Sequence, residues 1–277
     1  AAWYTVLHYL KPIRLRSNVE MDGIQLNDLV REAIHRDFVT GHFFNSLWLY
    51  YSAKALAKRI EVDACLYPFE NRSWETMLIA GLSSRGNPVR TVGYNHAAIT
   101  PGHTNLSLGI DEAKVIPLPD TIVTMGDATK TLLEKNGNYP EGMLQLGCAL
   151  RQGRSNDAIG TKCPRNTISK VLVVLATSLE EYVHTMIFLN KAFDGVESYQ
   201  IGIRPHPAFP FSQAKERLGE PKLKFTLMGG SVEDNLNWPD LVIYVSSTVG
   251  LTAISKGIPA ITIDLGDFMD YDPAPEN

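Results

Sequence analysis

The spacing of apolar positions changes near residue 60. Before it, Ile24, Leu26, Leu29, Val30, Ala33 and Ile34 recur at helical intervals and predict a helix over 22–38. Residues 43–60 predict a second helix, closed by Lys54, Lys58 and Arg59, a basic run that suits a helix C-terminus. From 61 onward the apolar residues fall in short runs instead. Residues 62–67 read as a buried strand that stops at Pro68, and Ser73 as the cap of a helix over 74–84 with Glu75 in its first turn. Strands are predicted at 89–94, 121–125 and 143–147, with a helix over 127–135 closed by Gly137.

Residues 151–168 are polar and lack periodicity, and read as a linker between domains. The alternation then restarts. The run 170–176 is wholly apolar after Lys170, as in a strand covered on both faces. A helix over 180–193, a strand at 199–204, a helix at 212–218, strands at 224–228 and 241–245, a helix over 248–256 and a strand at 259–263 follow. Strands alternating with helices through short turns predict parallel sheets. The expected fold is α/β: a Rossmann-like domain over 1–150, the linker 151–168, and a second Rossmann-like domain over 169–277, facing one another across a cleft where ligands meet the carboxyl ends of strands.

Composition narrows the function. The 277 residues are 44% apolar and 20% charged, with a formal charge of −4. This balance, and the lack of a basic stripe, exclude a general nucleic-acid binder. No apolar run approaches the roughly 20 residues that span a bilayer. The aromatic stretch 43–51 is expected to form a buried helix face, with peripheral contact to a membrane as its other reading. The start A-A-W-Y-T-V has neither an initiator Met nor a signal-peptide pattern, as in a fragment or a processed chain. Three separated cysteines, Cys65, Cys148 and Cys163, suggest neither a disulfide framework nor a zinc knuckle and fit a reducing cytoplasm. Cys65 reads as a core residue.

Two stretches carry candidate chemistry. In I-G-I-R-P-H-P (201–207), prolines on both sides of His206 stop the strand and fix a rigid turn beyond its carboxyl end. An imidazole there can donate to a phosphate oxygen or a leaving group; a surface histidine in a proline turn explains the sequence equally well. In V-S-S-T-V-G-L (245–251), Ser246, Ser247 and Thr248 lie between a strand and a helix. Their hydroxyls and the first free N–H groups of the helix can cradle an anion, where plain capping needs one hydroxyl. Gly250 permits close packing. Met228-Gly229-Gly230-Ser231 reads as an ordinary turn, and Glu233-Asp234-Asn235 as a helix start explained by capping. Neither a P-loop, a G-x-G-x-x-G turn nor a G-x-S-x-G elbow is present.

R-P-H-P upstream, then S-S-T before a helix and G-I-P-A-I after it, resembles the C-terminal half of GT-B glycosyltransferases over residues 170–265. The His-Pro and Ser-Ser motifs are similar to those of bacterial transferases using CMP-activated sugars: sialyltransferases, polysialyltransferases and Kdo transferases, with CDP-glycerol glycerophosphotransferases alongside. The resemblance implies that His206, Ser246 and Ser247, with Thr248 less firmly, bind the nucleotide phosphate. Y-P-F-E-N-R-S-W-E (67–75) and G-C-A-L-R (147–151) resemble segments of bacterial surface-carbohydrate biosynthesis proteins.

Transfer with inversion needs a base for the acceptor hydroxyl. The related families keep a pair of acidic residues followed by glycine for this, and the nearest approach here, Asp111-Glu112, is followed by Ala113. Glu70, beyond a strand end and Pro68-Phe69, is the first candidate, against an ion pair with Arg72. Glu75 is second, its place explained by the helix dipole alone. Asn71 and Arg72 are candidates for acceptor or donor carboxylate contact. His96, in the long loop Y-N-H-A-A-I-T-P-G-H-T-N, is a candidate acceptor contact. His96 and His103 lack the neighbours of a metal site, and no metal or cofactor is expected.

The sequence therefore predicts a metal-independent glycosyltransferase of the cytoplasm or its membrane face. It would move a sugar, with CMP-linked acidic sugars first, from a nucleotide donor to a surface polysaccharide or glycolipid. Two alternatives stand beside it: a sugar-nucleotide epimerase, which needs acidic residues on both sides of the sugar, and a non-catalytic nucleotide-sugar-binding domain.

Overall fold

The computed structural model describes residues 13–15, 17–84, 86, 89–150, 167–175, 178–219, 222–266 and 271–274. Most of the stretch read as a linker, 151–166, lies outside them. The chain forms two compact units, one of residues 1–97 and 105–149, the other of residues 98–104 and 150–277. Each is built on a parallel sheet, so the fold class is the expected α/β.

In the first unit, strands β1 (Glu20–Met21) and β2 (Ile24–Gln25) form a hairpin, followed by helices α1 (Asn27–Val39) and α2 (His42–Arg59). The sheet follows: β3 (Ala64–Pro68), α3 (Ser73–Ser83), β4 (Arg90–Tyr94), β5 (Thr121–Thr124), α4 (Asp127–Asn136) and β6 (Leu144–Leu146), in the order β3-β4-β5-β6. Three expectations are corrected here. The helix predicted from residue 22 starts at Asn27, because Asp22 (φ 52°) and Gly23 (φ 80°) make the tight turn of the hairpin. The strand predicted as buried is an edge strand with β4 as its one partner, so its exposure alternates and Leu66 is 71% exposed. The aromatic face of α2 is not its buried face. Ser46, Ala53 and Ala57 are buried, whereas Trp48 and Tyr51 are exposed. The cause is Gly81 on α3, where an added Cβ would lie 2.5 Å from the Tyr50 carbonyl oxygen and 2.7 Å from the Ala53 Cβ. Helices that approach this closely meet through small residues, and the bulky ones turn away.

In the second unit the strands are β7 (Lys170–Val174), β8 (Gln200–Arg204), β9 (Thr226–Leu227), β10 (Leu241–Tyr244) and β11 (Ala260–Thr262), in the order β11-β10-β7-β8-β9. Helices α5 (Leu179–Ala192), α6 (Phe211–Leu218), α7 (Val232–Leu236) and α8 (Val249–Ser255) lie between them. The chain runs outward from β7 to β9, returns to the other side of β7 at β10, and continues to β11. This reversal is the doubly wound arrangement, and it places a switch point between β7 and β10. Residues 171–174 of β7 are all buried. Val171 and Val173 join a core with Tyr182, Met186, Leu189 and Phe211 from α5 and α6. Leu172 and Val174 join a second core with Leu236, Tyr244 and Ala253.

The units share a device at the amino ends of their strands. Asp120, just before β5, accepts hydrogen bonds at one oxygen from the Thr91 N–H (2.6 Å) and hydroxyl (2.9 Å). Asp240, just before β10, accepts from the Ser169 N–H and hydroxyl and the Lys170 N–H, each at 3.0 Å. In both cases the aspartate follows a proline, Pro119 or Pro239, and binds the neighbouring strand. Asp240→Ala strands two backbone donors and a hydroxyl. The expected loss is about 1–3 kcal/mol, measured as the midpoint shift in urea unfolding at unchanged slope.

Candidate functional site

The second unit brings two predicted motifs to one sheet edge. His206 follows β8 and Ser246-Ser247 follow β10, on either side of β7. Strands two places apart are separated by about 10 Å, a span that one ligand can bridge.

Each residue of the His206 turn has a task. Arg204 donates to the Gly230 carbonyl at 3.0 Å and to Asn235 Oδ1 at 2.6 Å, and Asn235 in turn donates to the Gly229 carbonyl at 2.8 Å. Arg204 thus ties the end of β8 to the glycine turn, and Ser231 caps α7 by accepting from the Asp234 N–H at 3.0 Å, as expected of that segment. The His206 N–H donates to the hydroxyl of Tyr182, which donates to the Phe209 carbonyl at 3.0 Å. Tyr182 is fully buried, and burial pushes its hydroxyl pKa up, so it stays a neutral O–H. The His206 Nδ1 accepts from the Ala208 N–H at 3.2 Å, so the neutral ring carries its proton on Nε2. The turn therefore offers a fixed N–H donor at the sheet edge.

The three hydroxyls are less free than expected. Helix α8 begins at Val249 rather than Thr248. Ser247 accepts from the Val249 N–H at 3.3 Å, a local turn bond, and Thr248 at the N-cap position makes no side-chain cap bond. Ser246 donates to Glu181 Oε1 at 3.4 Å, across the switch point from the first turn of α5. Thr248 is exposed. Gly250 does allow close packing, since a Cβ there would lie 2.6 Å from the Tyr244 ring.

The first unit brings together Glu70, Arg72 and His96. Glu70 follows β3 and His96 follows β4, the adjacent strand. Arg72 Nε lies 3.7 Å and His96 Nε2 3.6 Å from the Glu70 carboxylate oxygens. The ion pair with Arg72 is present, and it is solvent-exposed, so it adds little stability. Asn71, at φ 53°, donates from its side chain to the Asn105 carbonyl at 2.7 Å, and Asn105 returns a bond to the Glu70 carbonyl at 2.7 Å. His103 belongs with the second unit, where its Nδ1 accepts from the Thr100 N–H at 3.0 Å. Among the described residues, no group of three or more His, Cys, Asp or Glu side chains is placed to hold a metal. Burial raises the Cys65 thiol pKa, in keeping with a core residue.

Two expectations about helix α3 change. Ser73 is its first residue rather than its cap, and its hydroxyl meets that of Ser46 at 3.0 Å. Glu75 is not accounted for by the helix dipole alone. It is 2% exposed and accepts from the N–H groups of Glu70 at 2.9 Å and Asn71 at 3.1 Å. Neither Glu75 nor Tyr182 had a signal of this kind in the sequence, since their partners are backbone groups set by the fold.

No protein-family model and no curated protein matches the chain. Solved structures do. The chain is similar to UDP-N-acetylglucosamine 2-epimerase from Rickettsia bellii, at 14% identity and a TM-score of 0.46, over 80% of this chain and 61% of that one. It is similar to the S. aureus MnaA–UDP co-structure, at 9% identity and a TM-score of 0.49, over 82% and 63%. It is also similar to the glycotransferase of kitacinnamycin, at 12% identity and a TM-score of 0.46, over 94% and 70%. The chain spans a little over six-tenths of the length of the first two.

Tyr182→Phe removes the one hydroxyl that holds both sides of the His206 turn. The expected cost is about 1–3 kcal/mol, with faster hydrogen exchange at the His206 amide, read by NMR.

Proposed function

We propose that this chain is a glycosyltransferase of GT-B type that takes its sugar from a nucleotide donor, with CMP-linked acidic sugars favoured, and passes it to a surface polysaccharide or glycolipid. The observation that carries the reading is the pair of turns on one sheet edge: His206, with Nε2–H presented, on one side of β7, and Ser246-Ser247 on the other. In this reading Glu70 takes the proton of the acceptor hydroxyl as its oxygen attacks the anomeric carbon. The bond from that carbon to the donor phosphate breaks, and the phosphate leaves with the electron pair. His206 donates to the departing oxygen, and Ser247 and Thr248 line the same edge. This stabilises charge where it develops, without a metal. Arg72 and His96 contact the acceptor or a donor carboxylate, and Asn71 holds their loop.

A membrane-surface acceptor suits helix α2. Its outward Trp48 and Tyr51 lie beside Lys54, Lys58 and Arg59, and its 18 residues include no acid. No described helix is long and apolar enough to cross a membrane.

A second reading, epimerisation of a sugar nucleotide, is favoured by one observation. Glu181, beside Ser246, supplies an acid in the second unit to match Glu70 in the first.

Thermal shift with CMP, CDP, UDP and GDP separates these readings. A ligand that binds only the folded state at a hundredfold above its Kd adds about 2.7 kcal/mol. The expected result is a rise in Tm with cytidine nucleotides that His206→Ala abolishes. A rise with UDP alone favours epimerisation or a UDP-sugar transferase, and no rise with any nucleotide overturns the donor site.

A further inference from the structure

We propose that Glu75 is the positioning residue of the first unit's site: its buried carboxylate grips the backbone of Glu70 and Asn71 and thereby sets where the Glu70 side chain stands. The inference deepens the reading of Glu70 as base and rests on it.

The geometry is that of a clamp. Glu75 Oε1 accepts from the Glu70 N–H and Oε2 from the Asn71 N–H, so each oxygen holds one residue. The segment between them cannot relax freely, because Asn71 is at φ 53° and its side chain and the Glu70 carbonyl are both tied to Asn105. Helix α3 anchors Glu75 itself, through a face that also buries Ile79 and Leu82. Both oxygens of Glu75 are engaged by backbone amides of the loop. Glu70 is the residue it leaves outward, facing Arg72 and His96.

The clamp depends on protonation. Each oxygen holds one of these two amides, and a proton on Glu75 weakens the oxygen that carries it as an acceptor. Burial raises the Glu75 pKa to about 7, against the lowering effect of the backbone bonds from Glu70, Arg72 and Asn71, and the Glu70 charge adds to the rise. The other titratable groups around it are Tyr67 on β3 and Tyr139 beyond α4. Both are held neutral by burial, with Cys65 and Asp120 beside the first and Glu112 beside the second. Arg72 and His96 reach Glu70 rather than Glu75. The folded chain holds the Glu75 proton more tightly than the unfolded chain. This contribution to stability is therefore full below the ordinary glutamate range and is lost as pH rises to about 7. The loop behaves oppositely: the ionised clamp grips both amides, and acid loosens one.

The test follows the backbone amides of Glu70 and Asn71 by NMR in the whole chain, from about pH 4 to about pH 9, a range that includes the ordinary glutamate value. The expected result is that both amide signals move together with a midpoint of about 7. The movement should persist in Glu70→Gln, which excludes Glu70's own titration, and vanish in Glu75→Gln, where the same amides should exchange about tenfold faster. A midpoint in the ordinary glutamate range, a flat profile, or movement that survives in Glu75→Gln overturns the proposal. If Glu75→Gln does not fold, the titration repeated in Glu70→Gln with His96→Asn decides it, because a histidine also titrates near neutrality. The readout needs neither donor nor acceptor, so a missing transferase activity would leave the Glu75 result standing, and a flat titration would leave the donor assay standing.

Discussion

Strand β7 must be roofed on both faces and flanked on both edges, because four consecutive side chains, Val171 to Val174, are withdrawn from water. Each such burial contributes about 1.5–3 kcal/mol, and no arrangement with an open face would retain all four. Val171 and Val173 require α5 and α6; Leu172 and Val174 require the layer that includes Leu236 and Ala253. Having neighbours on both edges then forces the chain to return past its starting strand. That return creates the switch point, and the turns that bear His206 and Ser246 open on either side of the same strand. The candidate chemistry in this unit is thus a by-product of how its most apolar strand is covered.

Much of this was legible in the sequence. The strands were readable because the runs at 170–174 and 241–245 are unbroken and bounded by turn residues. The two motifs were readable because proline and serine leave a local mark. What stayed hidden was every interaction whose partner is distant or is backbone. Tyr182 is 24 residues from His206, and Ser246 is 65 from Glu181. Glu75 reads as a first-turn acid until its oxygens are seen on two amides. The Asp22-Gly23 turn was present in the sequence as a hairpin signal, but the helical spacing of the residues after it masked it. On α2 the aromatic residues suggested the buried side, whereas the contact that decides its orientation is made by Gly81 and Ala53, which contribute almost no apolar signal of their own.

The two units hold their candidate residues by different means. In the second, the His206 turn is fixed by prolines and by the neutral hydroxyl of Tyr182. In the first, the Glu70 loop is fixed by an ionisable group with a pKa of about 7.

The aspartates at the amino ends, Asp120 and Asp240, bear on how each sheet finds its alignment. A strand that slips by two residues keeps every side chain on its proper face, so alternation alone cannot reject the error. A carboxylate that must meet the amide of one particular neighbour can. In a slipped sheet Asp240 would lose the Ser169 and Lys170 donors. Pro-Asp before a central strand is in effect a ruler mark. It stands at the opposite end of the strands from the two candidate turns, where it can enforce alignment without constraining them.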